Sequence, residues 1–163
     1  MKRSKFIKWV SILILGGILF SSNGYCLDVK LLDLREKLFA ESVKIKESIN
    51  PKTQDFVLLS GLFDSCILAV TQIDAYFYLL GVFEFIRKED LNKDCFNFLL
   101  SWLNTMKKTN DLNLKNLSTA GPIMEETTKD YILKIKSYFT ELDKLLSQER
   151  NRINLLMRAS MIK

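Results

Sequence analysis

Apolar residues recur along most of this chain at three- and four-residue steps, the period of one face of an α-helix. No long stretch alternates with period two, so strands are not expected. Leu31, Leu34, Leu38, Ile45 and Ile49 form the first such stripe, broken at Ser42 and widened by Leu32, Phe39 and Val43. Lys30, Glu36, Lys37, Lys44 and Lys46 fall on the opposite side. This predicts an amphipathic helix from Asp28 to Ile49.

A second helix is predicted after Asn50, with Pro51 at its first position, where a missing N–H costs little. Its sequence, FVLLSGLFDSCILAVTQIDAYFYLLGVFEFI, is apolar around most of its girth, the mark of a helix surrounded by others. Asp64 and Asp74 lie well inside it and argue against a membrane span, because a charge at a bilayer centre costs about 3 kcal/mol. The residues Ser60, Asp64, Thr71, Asp74 and Tyr78 make one narrow polar stripe. A third helix runs through residues 91–106, with Leu91, Cys95, Phe98, Leu99, Trp102, Leu103 and Met106 on one face. The polar, Asn-rich residues 107–121 read as a connection. A last helix starts at Pro122 and continues to Met157 or beyond. Ile132, Phe139, Leu146 and Ile153 repeat every seven residues along it. The predicted fold is all-α, an antiparallel bundle of four to five helices.

The first thirty residues follow a different pattern. Lys2, Arg3, Lys5 and Lys8 precede the uncharged run from Trp9 to Phe20, and small polar residues follow. That order is the signature of a secretory leader. The expected leader is 1–26, with cleavage before Tyr25 or before Leu27, and the expected helical domain is 27–163. Tyr25, bulky and directly before Cys26, argues against lipidation of that cysteine. An exported protein, periplasmic or extracellular, is therefore expected.

The leader also changes the charge. The 163 residues carry 24 Lys and Arg against 19 Asp and Glu, a net charge of +5. Without the leader's four cations, 20 basic residues face the 19 acidic ones, net +1. A nucleic-acid partner is not expected on that balance. Histidine is absent, which excludes Ser-His-Asp and Cys-His nucleophiles and every His-ligated metal or haem site. There is no glycine-rich phosphate loop. No catalytic residue, metal or cofactor is expected.

Export places Cys66 and Cys95 in an oxidising compartment, where paired thiols tend to bridge. Bridged Cα atoms lie within about 7 Å, so a Cys66–Cys95 disulfide requires the second helix to break, and Gly81 is the expected hinge. Tyr76, Phe77, Phe83, Phe85, Phe96, Phe98 and Trp102 are dense enough to suggest an apolar pocket beside that hinge. Arg150, Arg152, Arg158 and Lys163, interleaved with Leu155 and Leu156, make a basic amphipathic tail that suits a membrane surface or an acidic partner. Three function classes follow. The first is a non-enzymatic protein that binds a protein partner through a helical face. The second is a carrier of a lipid or small apolar ligand in the aromatic pocket. The third is a carboxylate-dependent cell-wall glycan hydrolase using the acids of the polar stripe.

Overall fold

The computed structural model describes residues 22–86, 92–119, 121–123 and 125–161. The described residues contain four helices and no strand: α1 (Ser22–Ser48), α2 (Phe56–Glu84), α3 (Lys93–Ser118) and α4 (Glu126–Met161). The all-α class is thus observed. Residues 1–21 of the expected leader, Leu91 and Lys163 lie outside the described residues. The backbone of 22–26 is the first turn and more of α1, which begins six residues before the expected start.

Hydrogen bonds and ion pairs give the order of the helices around the core. Arg35 of α1 meets Asp74 of α2, and Lys46 stands over the Phe63 ring, so α1 and α2 run antiparallel. Ser65 meets Asn113, and Gln72 meets Thr109, which sets α3 antiparallel to α2. Asn110 donates to the Phe139 carbonyl, and Lys107 pairs with Asp143, which aligns α4 on α3. Lys134 reaches back to Glu41 and Arg152 to Asp28, closing α4 on α1. Contacts are densest between α1 and α2 and between α3 and α4; the α2–α3 side is sparse.

The core is the sum of the predicted stripes. Leu31, Leu34, Leu38 and Ile45 are fully buried, as are Ile73, Ile135 and Phe139. Ser42 fills the gap in the α1 stripe: it is buried, and its hydroxyl donates to the Phe39 carbonyl at 2.7 Å. Leu32, Phe39 and Val43 do not widen that stripe; they are exposed, because their side chains project past the edge that α2 and α4 cover.

Several expectations are corrected. Helix α2 passes through Gly81 and ends at Glu84, so there is no break at Gly81. A glycine in a helix needs only ordinary φ, and none of the described glycines has a positive φ. No disulfide joins Cys66 and Cys95; both are free. The register explains this. Ser65 stands level with Asn113, which is eighteen residues along α3 from Cys95, or about 27 Å. Nor is α2 a surrounded helix. It occupies one corner of the bundle, with one face in the core and the other in solvent.

The helix starts also moved. Pro51 lies in a turn that Asn50 organises, its Oδ1 accepting from the Lys52 N–H at 3.0 Å, and α2 begins five residues after Pro51. Pro122 precedes α4 by four residues. Residues 107–118 are helix rather than connection. Their asparagines have modest helix propensity, but Asn110 and Asn113 are buried and bonded across the bundle, and tertiary contacts override the local preference.

Candidate functional site

Helix α2 has an apolar inner face and a mixed outer face rich in exposed apolar side chains. Its inner face sends Leu59, Leu62, Cys66, Ile73 and Tyr76 into the core. Its outer face is a heptad series: Val57, Asp64, Thr71 and Tyr78 at one register position, continued by Phe85 at the C-cap, and Gly61, Leu68, Ala75 and Val82 at the other. Such a seam is the pattern that seats a second helix. Nothing in the chain's described residues covers it: Val57 is 79% exposed, Tyr78 74% and Phe85 75%, with Leu68 and Val82 also exposed. Burying large apolar side chains is normally favourable, so a row of them in solvent is informative.

Three members of the polar stripe expected on α2, Asp64, Thr71 and Tyr78, belong to this series. Asp64, Thr71, Asp74 and Tyr78 are exposed and Ser60 is half-buried. The hydroxyls of Ser60 and Thr71 donate to the carbonyls of Phe56 and Ile67, one turn back. Asp74 accepts a two-pronged bond from Arg35, 2.9 Å to each oxygen, and Arg35 also stands 5.4 Å from the Phe39 ring. Asp64 and Asp74 are ten residues apart, about 15 Å along the helix, wider than the roughly 5–9.5 Å that paired glycosidase carboxyls need.

The aromatic residues do not converge. Tyr76 and Phe96 are buried, Phe77, Phe83 and Trp102 are half-buried, and Phe85 and Phe98 point to solvent. Tyr76 meets Phe77 at 6.1 Å between ring centres. The Trp102 indole N–H donates to the Gln72 carbonyl at 3.4 Å, across the α2–α3 seam.

Arg152 does not belong to an outward basic face. It is turned inward and donates to both oxygens of Glu149, whose side chain is wholly buried. Tyr76 donates its hydroxyl to the same carboxylate, and Asp28 lies 3.6 Å from Arg152. A buried charge survives only when paired and hydrogen-bonded; here one carboxylate is shared by a guanidinium and a phenol from two helices. Burial pushes the Tyr76 hydroxyl pKa well up, and the neighbouring Glu149 charge adds to it. Burial is the largest single influence and works against the Arg152 cation, but the Glu149 hydrogen bonds together with the nearby Glu149 and Asp28 charges outweigh it and the pKa is raised. Of the tail cations, Arg150 and Arg158 remain exposed. A second buried carboxylate, Glu41, is held by Lys44 and Lys134 at 3.3 and 2.8 Å. Burial, with Glu41 close by, pushes the Cys66 thiol up to about 12, which makes it a poor nucleophile.

A cleft of about 450 Å³ lies between the first half of α2 and the last half of α3. Its wall includes Val57, Leu58, Gly61, Asn113, Leu117 and Pro122. Asp55 stands beside it and accepts the Glu125 N–H at 2.9 Å, so one carboxylate serves the start of α4 from the start of α2. Sequence reasoning missed this region because it assigned residues 107–121 to a connection. The signal was Met106, Asn110, Asn113 and Leu117, which continue the α3 core face at helical steps. It missed the Glu149 network too, although an acid between Leu146 and Ile153 on the core seam was legible.

Among the described residues no three Cys, Asp or Glu side chains gather as a metal site. Residues Phe56–Phe83 are long and apolar enough to cross a membrane, with a mean hydropathy of 1.8 and a third of the most apolar window buried within the bundle. No protein-family model, no curated protein and no solved structure matches the chain.

Proposed function

We propose that this chain is an exported, non-enzymatic helical protein that binds a protein partner by seating one of the partner's helices on the outer face of α2. The observation that carries the reading is the exposed heptad series Val57, Leu68, Tyr78, Val82 and Phe85. A two-position seam at 3.5-residue spacing matches a helix in a groove, where anchors recur at i, i+3, i+4 and i+7. The reading of export rests on the leader-like pattern of residues 1–26.

Charge separates this proposal from a membrane surface. Helix α2 has no Lys or Arg from Phe56 to Glu84; its charges are Asp64, Asp74 and Glu84. Anionic lipid would find no counter-charge there, whereas membrane-seeking helices line their polar face with cations. The favoured partner is an apolar helix flanked by Lys or Arg, one of which pairs with Asp64. The carrier and hydrolase readings have less support, because the aromatics diverge and the two acids are far apart.

The test places a photo-crosslinking amino acid at Val82, and separately at Leu133 on the exposed side of α4, in the protein exported by its native cell. A single adduct from Val82, absent from Leu133 and abolished by Leu68→Glu, is the expected result. Equal labelling from both positions, or flotation of the purified protein on neutral and anionic vesicles alike, overturns the proposal.

A further inference from the structure

The cleft at the α2–α3 end is continuous with the outer face of α2, since Val57 and Gly61 belong to both. We propose that this cleft is a binding site for a neutral peptide unit carrying an apolar side chain, the anchor of the partner helix or its flanking strand. This inference rests on the protein-partner reading above.

The size and chemistry of the cleft agree. Ligand pockets run from about 300 to 1,000 Å³ and combine apolar walls with a few placed polar groups. Here Val57, Leu58, Leu117 and Pro122 supply the apolar wall. The polar lining includes Gln54, Ser65, Asn113 and Asn116, of which Asn113 is the most buried amide, 8% exposed. Its Oδ1 accepts from the Ser65 hydroxyl at 3.4 Å, while its Nδ2 donates to none of the described residues. An amide N–H2 open to the cleft at its wall is a donor available to a carbonyl. Leaving it unpaired against an apolar ligand costs affinity, and pairing it recovers that loss.

The occupant follows from charge. The wall of the cleft contains no Lys or Arg, and neither does α2. The single carboxylate there, Asp55, is buried and engaged by the Glu125 N–H, and its charge repels anions. A phosphate or a free carboxylate is therefore disfavoured, and an uncharged carbonyl is favoured. Gly61 sharpens the shape argument. A Cβ built there meets nothing within 4 Å, so the helix could carry a side chain at this position without clash. A mid-helix glycine lowers helix stability relative to alanine, and its effect here is to leave the mouth of the cleft open.

The probe is N-acetyl-leucine N-methylamide, titrated into the ¹⁵N-labelled chain, with the Asn113 side-chain amide as the reporter. Saturable movement of that signal is expected. N-acetylglycine N-methylamide should bind about tenfold more weakly, the factor that burial of a leucine side chain supplies. N-acetyl-leucine, which ends in a carboxylate, should also be weaker. Gly61→Phe should abolish the response by filling the cleft, and Asn113→Asp should weaken it by exchanging a donor for an acceptor while still accepting from Ser65. Circular dichroism checks that both variants stay folded. A response that is absent, equal for the leucine and glycine probes, or unchanged by Gly61→Phe overturns the inference. The crosslink from Val82 keeps the two proposals apart. Loss of the adduct in Gly61→Phe, with a weaker adduct in Asn113→Asp, a position that lines the cleft from α3 and is not on the outer face, supports the cleft as the anchor. An adduct retained in Gly61→Phe but lost in Leu68→Glu overturns the anchor alone, and one retained in both overturns the outer-face reading as well.

Discussion

The inner and outer faces of α2 are built from similar residues and have opposite fates. The inner face holds Leu62, Ile73 and Tyr76 in the core; the outer face holds Leu68, Val82 and Tyr78 in solvent. The two tyrosines, two residues apart, make the contrast plain. Tyr76 is fully buried and gives its hydroxyl to Glu149, while Tyr78 is 74% exposed. Hydropathy alone therefore does not identify a core. A helix apolar on all sides has one face answered by its own chain, and the other face is a question about something else.

The sharpest way to break the comparison is to cut what holds the inner face. Glu149→Ala leaves Arg152 and Tyr76 without their shared acceptor and should cost about 3–5 kcal/mol in urea unfolding, the range for stranding a buried charge. Asp74→Asn, which loosens the exposed bond to Arg35, should cost less than about 1 kcal/mol. A purely apolar version of the contrast comes next. Ile73→Ala should destabilise by about 2–5 kcal/mol, whereas Val82→Ala should stay within about 0.5 kcal/mol. A large loss from Val82→Ala in the isolated protein would mean that the outer face already packs on this chain.

Alkaline titration tests the inner face without removing packing first. The Cys66 thiol is pushed from 9.0 in the open chain up to about 12 in the fold. Its raised value means the folded state keeps a proton that the unfolded state loses. Stability from this group is complete below pH 9 and declines as pH climbs from 9 towards 12. Lys107 and Lys134, raised by their hydrogen bonds to Asp143 and Glu41, act in the same direction at the upper end of that range. Thermal melts should fall with pH above 9, and Cys66→Ala should flatten the first part of the fall. In the native protein at pH 8, Ellman's reagent should modify Cys95 and leave Cys66 until unfolding. The smallest effect has the opposite sign. Gly81→Ala meets open space in the last turn of α2 and should stabilise by about 0.5 kcal/mol; destabilisation would mean that the helix does bend there.

How much of this was legible in the sequence depended on how far local pattern and tertiary fate agree. The α1 seam was readable because Leu31, Leu34, Leu38 and Ile45 share one side and charges occupy the other. The α4 repeat was readable for the same reason. The second half of α3 was not, because asparagine favours turns locally and only its bonds to Phe139 and Ser65 make it helical here. Arg152 was placed outside because a cation is ordinarily solvated, although Glu149, three residues earlier and between Leu146 and Ile153 on the core seam, marked an inward partner for it. The outer face of α2 was misread as buried because the sequence states how apolar a helix is, and not which of its sides has a neighbour. The polar stripe shares its side of α2 with the residues that carry the proposal, and Tyr78 belongs to both, so a polar pattern alone did not separate the two.

The sequence has two tryptophans, Trp9 and Trp102. In a chain processed at the leader, Trp102 is left as the sole indole, half-buried at the sparse α2–α3 seam with its N–H on the Gln72 carbonyl. The protein then contains its own fluorophore on the α2–α3 seam. Its emission should shift red if that seam is prised open and blue if a partner covers it, so occupancy can be followed with no label attached.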